Sequence, residues 1–185
     1  MRIVGGILGG RVLRAPAGAK TRPTSEKVRE AVFNILGNRL GSLEGAYVLD
    51  LFAGSGALGI EALSRGAERA TFVDAGKPQL GIVKENLKTL ALESRADVIG
   101  GDAVVHAARI VPGEPWRLVF VDPPYQSNLA TRAVLALPRA HLAPGAIVVV
   151  EHDRPHAPPD TLGTLLRTDQ RRYGDTMVSF FEVAA

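Results

Sequence analysis

The chain has no cysteine in its 185 residues. That removes disulfide frameworks, thiolate nucleophiles and cysteine-based zinc sites together, and a reducing cytoplasm is the expected compartment. No apolar run approaches the ~18 residues that a membrane span needs. The opening Met1-Arg2-Ile3-Val4-Gly5-Gly6 lacks the apolar core of a signal peptide. His106, His141, His152 and His156 show no metal-ligand spacing, so no metal is expected. Internal repeats and low-complexity tracts are also missing. What is present is ordinary for a globular domain: 46% hydrophobic and 22% charged residues, long enough to bury a sizeable core.

The charge is small in total, +3 at pH 7, but uneven. Ahead of Tyr47 stand Arg2, Arg11, Arg14, Lys20, Arg22, Lys27, Arg29 and Arg39 against only Glu26, Glu30 and Glu44. A segregated basic segment is the electrostatic footprint of a polyanion binder. Residues 2–4 and 11–14 are short strand-like runs parted by Gly5, Gly6, Gly9 and Gly10, which reads as a loose hairpin. A linker with Pro16, Gly18 and Pro23 follows. Thr24 or Ser25 is then expected to cap a helix whose apolar stripe is Val28, Ala31, Val32, Ile35 and Leu36. Lys27, Arg29, Glu30 and Asn34 lie off that stripe, and Gly37 and Gly41 mark where the helix frays and stops.

From Ala46 the pattern alternates. Strand-like runs at 47–52, 70–73, 96–99, 117–121 and 146–150 enclose helical stretches near 57–65, 78–91, 103–110 and 128–137. Such alternation implies right-handed βαβ crossovers and a mainly parallel sheet covered on both faces, an α/β fold. Residues 164–172 and 176–183, joined by Tyr173-Gly174-Asp175, read as an antiparallel hairpin at the sheet edge. Residues 1–22 are taken as a basic extension and 23–185 as the main domain.

The fourth run ends in Asp122-Pro123-Pro124-Tyr125. Two prolines fix φ and remove two backbone donors, so the chain leaves the sheet there. A carboxylate, carbonyls without competing N–H groups and an aromatic face remain. These residues suit a planar amino group and a stacking ring. The first run enters Asp50-Leu51-Phe52-Ala53-Gly54-Ser55-Gly56-Ala57-Leu58-Gly59, a glycine-rich strand-to-helix turn, with Asp74 twenty residues after Gly54. Such a turn fits a nicotinamide dehydrogenase or a methyltransferase equally. Asp50 beside the glycines favours an amino group over a pyrophosphate, and Asp102 after the third run can take an adenine amine, cap the next helix, or do both. Glu151, after the fifth run, is read as structural.

The set DLFAGSGALG, FVD, GDA and FVDPPY resembles a class I S-adenosylmethionine-dependent methyltransferase that modifies amino groups. Arg2-Ile-Val-Gly-Gly6 with Gly10-Arg11, then Arg22-Pro23-Thr24, Val28-Arg-Glu-Ala-Val-Phe-Asn34 and Leu58-Gly-Ile-Glu-Ala-Leu-Ser-Arg-Gly-Ala67, resembles the bacterial small-subunit ribosomal RNA guanine-N2 methyltransferases, the RsmD family. The resemblance implies a Rossmann-like fold with a seven-stranded, mostly parallel sheet and one antiparallel strand. It implies one methyl transferred from S-adenosylmethionine to a guanine N2 in 16S rRNA, by a cytoplasmic monomer. Catalytic roles then fall to Asp122, Pro123 and Tyr125. Cofactor contacts fall to Asp50, Phe52, Ala53, Gly54, Gly56, Asp74, Asp102, Ala103 and Asp122. RNA contacts fall to Arg2, Arg11, Arg14, Arg22, Thr24 and Lys27, although Arg22 and Thr24 equally suit a helix start. Any longer N-terminal arm is expected to be absent, and residues 153–172 match nothing assignable. A DNA adenine or protein glutamine methyltransferase, and a non-catalytic RNA-binding protein that keeps the fold, are the alternatives.

Overall fold

The computed structural model describes residues 1–16, 23–124 and 128–184, with the side chains of 23–25 outside the description. Arg22 and Tyr125, the Thr24 side chain and most of the expected linker therefore lie outside the described residues. The first helix, α1 (Pro23–Leu40), begins ahead of the expected cap pair. Proline suits a first helical position because its φ is already helical and its missing N–H has no partner to lose. The helix runs through Gly37 and stops at Gly41, whose φ of 67° only glycine adopts freely and whose N–H donates to the Gly37 carbonyl at 3.0 Å.

The alternating elements follow as β1 (Tyr47–Leu51), α2 (Ala57–Ser64), β2 (Arg69–Asp74), α3 (Lys77–Thr89), β3 (Ala96–Gly100), α4 (Ala103–Arg109), β4 (Trp116–Val121), α5 (Leu129–Ala136) and β5 (Leu142–Asp153). The chain closes with β6 (Thr161–Leu162), β7 (Leu165–Tyr173) and β8 (Thr176–Val183). The sheet order is β3-β2-β1-β4-β5-β8-β7-β6. Strands β1 to β5 pair in parallel, and β8 inserts antiparallel between β5 and β7. This is the seven-stranded pattern with one reversed strand, extended by the two-residue β6 on the outer edge.

Side-chain alternation splits the core into two layers. Val48, Phe72, Leu118, Phe120, Ile147 and Val149 face α1, α2 and α3, joined by Phe33, Leu36, Ile60, Leu63 and Val83. Leu49, Leu51, Val119, Val121, Val148 and Val150 face α4 and α5, joined by Ala107, Ala130 and Val134. The strands are apolar on both faces because both are covered, as parallel sheets require. The buried stripe of α1 keeps Val28, Val32 and Leu36 from the periodic reading, leaves Ala31 and Ile35 half-buried, and adds Phe33, Leu40 and a charge, Arg29.

That charge explains how the N-terminus docks. Glu61 on α2 is wholly buried, and its carboxylate accepts from the Val4 N–H at 2.8 Å, the Gly5 N–H at 2.7 Å, Arg29 Nε at 3.3 Å and Arg65 Nε at 2.9 Å. A buried charge is tolerable only when so fully partnered. The hairpin exists as a single antiparallel bridge, Arg2 to Val12, with Ile3 N–H to Arg11 O at 2.9 Å and Gly10 N–H to Ile3 O at 2.8 Å. Ile3 and Leu13 sit in the same core layer as α1 and α2. Asn86 on α3 grips the hairpin's far end, accepting from the Arg14 N–H at 2.8 Å and donating to the Arg14 carbonyl at 3.1 Å. Gly6 (φ 77°) has no room for a side chain, since a Cβ there would collide with the Ser64 carbonyl.

Candidate active site

The parallel register brings the carboxyl ends of β1, β4 and β5 side by side: Leu51 pairs with Val121, and Val121 with Val150. Asp50 shares the α1-facing side of the sheet with Val48, and Asp122 and Glu151 continue the α1-facing positions of Phe120 and Val149. Three carboxylates thus stand on one face near the carboxyl ends of three neighbouring strands, Glu151 two residues before β5 stops. A cleft of about 480 Å³ opens above them, lined among others by Asp50, Phe52, Ala53, Gly54, Asp122 and Glu151. Val28, Arg29 and Val32 of α1 close one side of it, and Met1 reaches its edge. The tip of the β7–β8 hairpin, Tyr173 to Thr176, forms another wall. That wall rises because β5 and β8 stay paired as far as Asp153 and Thr176, three residues past the last β4–β5 pair, or roughly 10 Å.

The glycine turn is built by backbone geometry. Phe52, Gly54 and Gly56 all have left-handed φ values, 62°, 57° and 79°. For Phe52 this stores strain of about 1–3 kcal/mol, of the kind that gathers at functional sites. Gly56 N–H donates to Ala53 O at 2.7 Å, and α2 starts at the next residue. Asp50 is buried, and its Oδ2 accepts the Gly59 N–H at 2.9 Å. A side chain at Gly59 would collide with the Phe72 ring, so this close approach requires glycine. Asp74 ties the turn down, accepting from Gly54 N–H at 2.9 Å on Oδ2 and from Gly76 N–H at 2.8 Å on Oδ1.

Burial dominates the electrostatics. It pushes the Asp50 carboxyl up to about 7, with the Gly59 hydrogen bond opposing and the Asp74 charge adding. Asp122 is raised well above the usual carboxylate range, first by burial, then by the negative charge of Glu151, then by that of Asp50. The cleft wall is therefore rich in acceptors and in latent negative charge. Such a wall welcomes amino groups and cations and repels a pyrophosphate, which decides against the dinucleotide reading of the glycine turn.

Of the positions expected to hold a cofactor, Asp50, Phe52, Ala53, Gly54 and Asp122 line the cleft, whereas Gly56, Asp74, Asp102 and Ala103 do not. Gly56 packs inward against Phe72 and Val83. Asp102 caps α4, its Oδ1 accepting from Val104 N–H at 2.8 Å and Val105 N–H at 3.1 Å, while Ala103 is buried behind it. Pro123 is buried directly after Asp122. Glu151, read as structural from sequence, lines the cleft beside Asp122. The signal for it was available: like Asp122, it is the charged residue that ends a wholly buried apolar run. Arg29 and Met1 gave no such signal, because only the tertiary fold brings them there. Among the described residues no group of three histidine or acidic side chains could hold a metal.

The basic N-terminal charges divide. Arg2, Arg11 and Lys27 are exposed, Arg14 is ion-paired to Glu85, and Arg39 binds Asp169 at 2.8 Å and Glu182 at 3.0 Å. Arg29 is buried against Glu61. The surface excess is thus smaller than the sequence count.

Comparison with known proteins fits this architecture. Residues 1–182 match the family model described as conserved hypothetical protein 95. The chain is 43% identical to the putative rRNA methyltransferase YlbH of Bacillus subtilis, covering 98% of each. It is 36% identical to ribosomal RNA small subunit methyltransferase D of Haemophilus influenzae, covering 90% of this chain and 86% of that one. The solved structure of the putative methyltransferase yhhF from Escherichia coli superposes with a TM-score of 0.85 at 34% identity, covering 100% of this chain and 98% of that one. The fold is the Rossmann-like methyltransferase fold, and the chain belongs to the conserved hypothetical protein 95 family, that of the small-subunit ribosomal RNA methyltransferase D enzymes.

Proposed function

We propose that this protein transfers a methyl group from S-adenosylmethionine to the exocyclic N2 amine of a guanine in 16S rRNA of the small ribosomal subunit. The observation that carries the reading is the wall of acceptors beside the glycine turn, where Asp122 and Pro123 end β4 within the cleft. The relatives named as small-subunit rRNA methyltransferases support the substrate class, and the family resemblance supplies the guanine N2 atom. The residues present fit the cofactor: the Ala53 and Gly54 backbone lines a cleft whose size is usual for such ligands, and its carboxylates complement a cation. When bound, S-adenosylmethionine supplies a methyl already activated on a sulfonium.

The remaining task for the protein is to present a nitrogen lone pair. An aromatic amine is a weak nucleophile because that pair is delocalised into the ring. The Asp122 carboxylate and the Pro123 carbonyl accept its two N–H bonds, favouring a pyramidal nitrogen and aiming the lone pair. Positioning and preorganised electrostatics then provide most of the acceleration. Tyr125 stacks on the base, which in single-stranded sites contributes about 1–3 kcal/mol. Beyond the cleft, farther along the same sheet edge, Asp74 and Asp102 are the proposed partners of the cofactor's ribose and adenine ends, and Asp74 also ties down the Gly54 turn. Residues 1–22 serve as the RNA-facing extension, with Arg2 and Arg11 on its exposed surface and Lys27 exposed on α1; Arg14, Arg22 and Thr24 are assigned to RNA contact as well. The protein works as a monomer in the cytoplasm.

The test is tritiated methyl transfer to free 16S rRNA, assembled small subunits, DNA and protein, with the product identified by chromatography against methylated standards. N2-methylguanosine in RNA is expected; methyladenine in DNA or methylglutamine in protein would replace this reading by another. In the same assay Asp122→Ala is expected to lose at least 100-fold in turnover while calorimetry shows cofactor still bound. Full turnover in that variant would remove Asp122 from the mechanism.

A further inference from the structure

Asp122 is not the only carboxylate positioned to meet the target base. Val121 and Val150 are register partners in adjacent parallel strands, so Asp122, just past the end of β4, lies beside Glu151 of β5, on backbones about 5 Å apart. Both continue the α1-facing side of their strands and both line the same cleft. Glu151 is the nearest electrostatic neighbour in effect: its charge raises the Asp122 proton affinity more than that of Asp50 does. The cleft therefore offers two ionisable carboxylates and the Pro123 carbonyl within one base-sized space.

Their chemistry selects among amines. A cation in the cleft draws Asp122 toward its ionised form, and an ionised carboxylate accepts hydrogen bonds and donates none. Along its Watson–Crick edge guanine offers three donors in a row, the ring N1–H and the two hydrogens of N2. Adenine and cytosine place an acceptor nitrogen next to the amine, and a glutamine amide places an acceptor oxygen there. Against two neighbouring carboxylates each of these sets acceptor against acceptor, whereas guanine satisfies every group. We propose that Glu151 is a specificity residue that accepts the N1–H of the target guanine, while Asp122 and the Pro123 carbonyl take the two N2 hydrogens. This rests on the guanine-N2 reading above and deepens it.

2-Aminopurine separates the two ideas, because it keeps the 2-amino group but has an acceptor at N1. Small subunits are reconstituted with 16S rRNA carrying either guanine or 2-aminopurine at the position that the wild-type enzyme methylates. Wild type is expected to favour guanine on the order of 100-fold in kcat/KM, in line with losing a charged base contact. Glu151→Gln, isosteric and able to donate to N1, is expected to lose activity on guanine and shrink that preference to within about 5-fold. A merely structural role would slow both substrates alike and leave the ratio unchanged, which overturns the proposal. Equal use of both substrates by wild type overturns it without any variant, even should Glu151→Gln fail to fold. Methyl found on an atom other than guanine N2 defeats the underlying reading first, and is recognised when the digested product fails to co-elute with an N2-methylguanosine standard.

Discussion

At the scale of single residues, the ionisation of Asp50 has the clearest consequences. Its folded pKa of about 7 lies above the ordinary value near 3.9 for an unfolded aspartate. Between those values the folded state keeps a proton that the unfolded chain sheds, so stability is complete below about pH 4, falls as pH rises to about 7, and is flat beyond. Asp50→Asn removes this slope. Urea melts of the cofactor-free protein should show the variant gaining on wild type by a few kcal/mol, roughly 1.4 per pH unit, between pH 5 and pH 8. An equal difference at both pH values would refute the assignment. The same carboxyls link protons to the ligand. A cation entering the cleft draws Asp50 and Asp122 toward their ionised forms, so cofactor binding at pH 7 should release protons. Calorimetry in two buffers of different ionisation enthalpy measures that release, and its absence would count against a cationic ligand beside these groups. The place of Asp122 in the cleft was legible in sequence, because the two prolines after it force the chain out of the sheet there. Arg29 was not, because helical periodicity places it off the apolar stripe and only Glu61, on another helix, makes its burial tolerable.

At the scale of elements, the N-terminal hairpin and α2 depend on one carboxylate. Four donors converge on Glu61, and removing it leaves Arg29 buried without its partner. Glu61→Ala should cost about 3–5 kcal/mol. Hydrogen exchange should show the Ile3 and Gly10 amides losing protection before those of the sheet, whereas uniform loss would mean that the hairpin is not a separate unit of stability. Deleting the hairpin is a poor test of RNA binding, since Ile3 and Leu13 are core residues. Charge removal is cleaner: Arg2→Ala and Arg11→Ala should each flatten the slope of log affinity against log salt by about one for small-subunit RNA, leaving the melting temperature unchanged. The hairpin was readable from its glycines, but not its attachment. Glu61, Ser64 and Asn86 are unremarkable in a one-dimensional pattern, and they matter only because α2 and α3 lie beneath the first fourteen residues.

At the scale of the whole molecule, the alternation of strands and helices announced a parallel sheet, and the aspartates near the strand ends pointed to the edge on which the cleft opens. Strand order was beyond reach, because nothing local in β1 says that β4 lies against it. Without that order Glu151 could not be set beside Asp122, nor Asp74 and Asp102 set away from the cleft. The raised wall of β5 and β8 has a further consequence. Its roughly 10 Å is about three base-stacking steps, so a nucleobase reaches Asp122 only after leaving its neighbours behind. The substrate thus supplies part of the barrier, through the cost of unstacking one nucleotide. On the proposed reading, methylation should run faster on an RNA whose target nucleotide is already unstacked than on one where it is held in a helix, and the depth of the cleft sets the size of that difference.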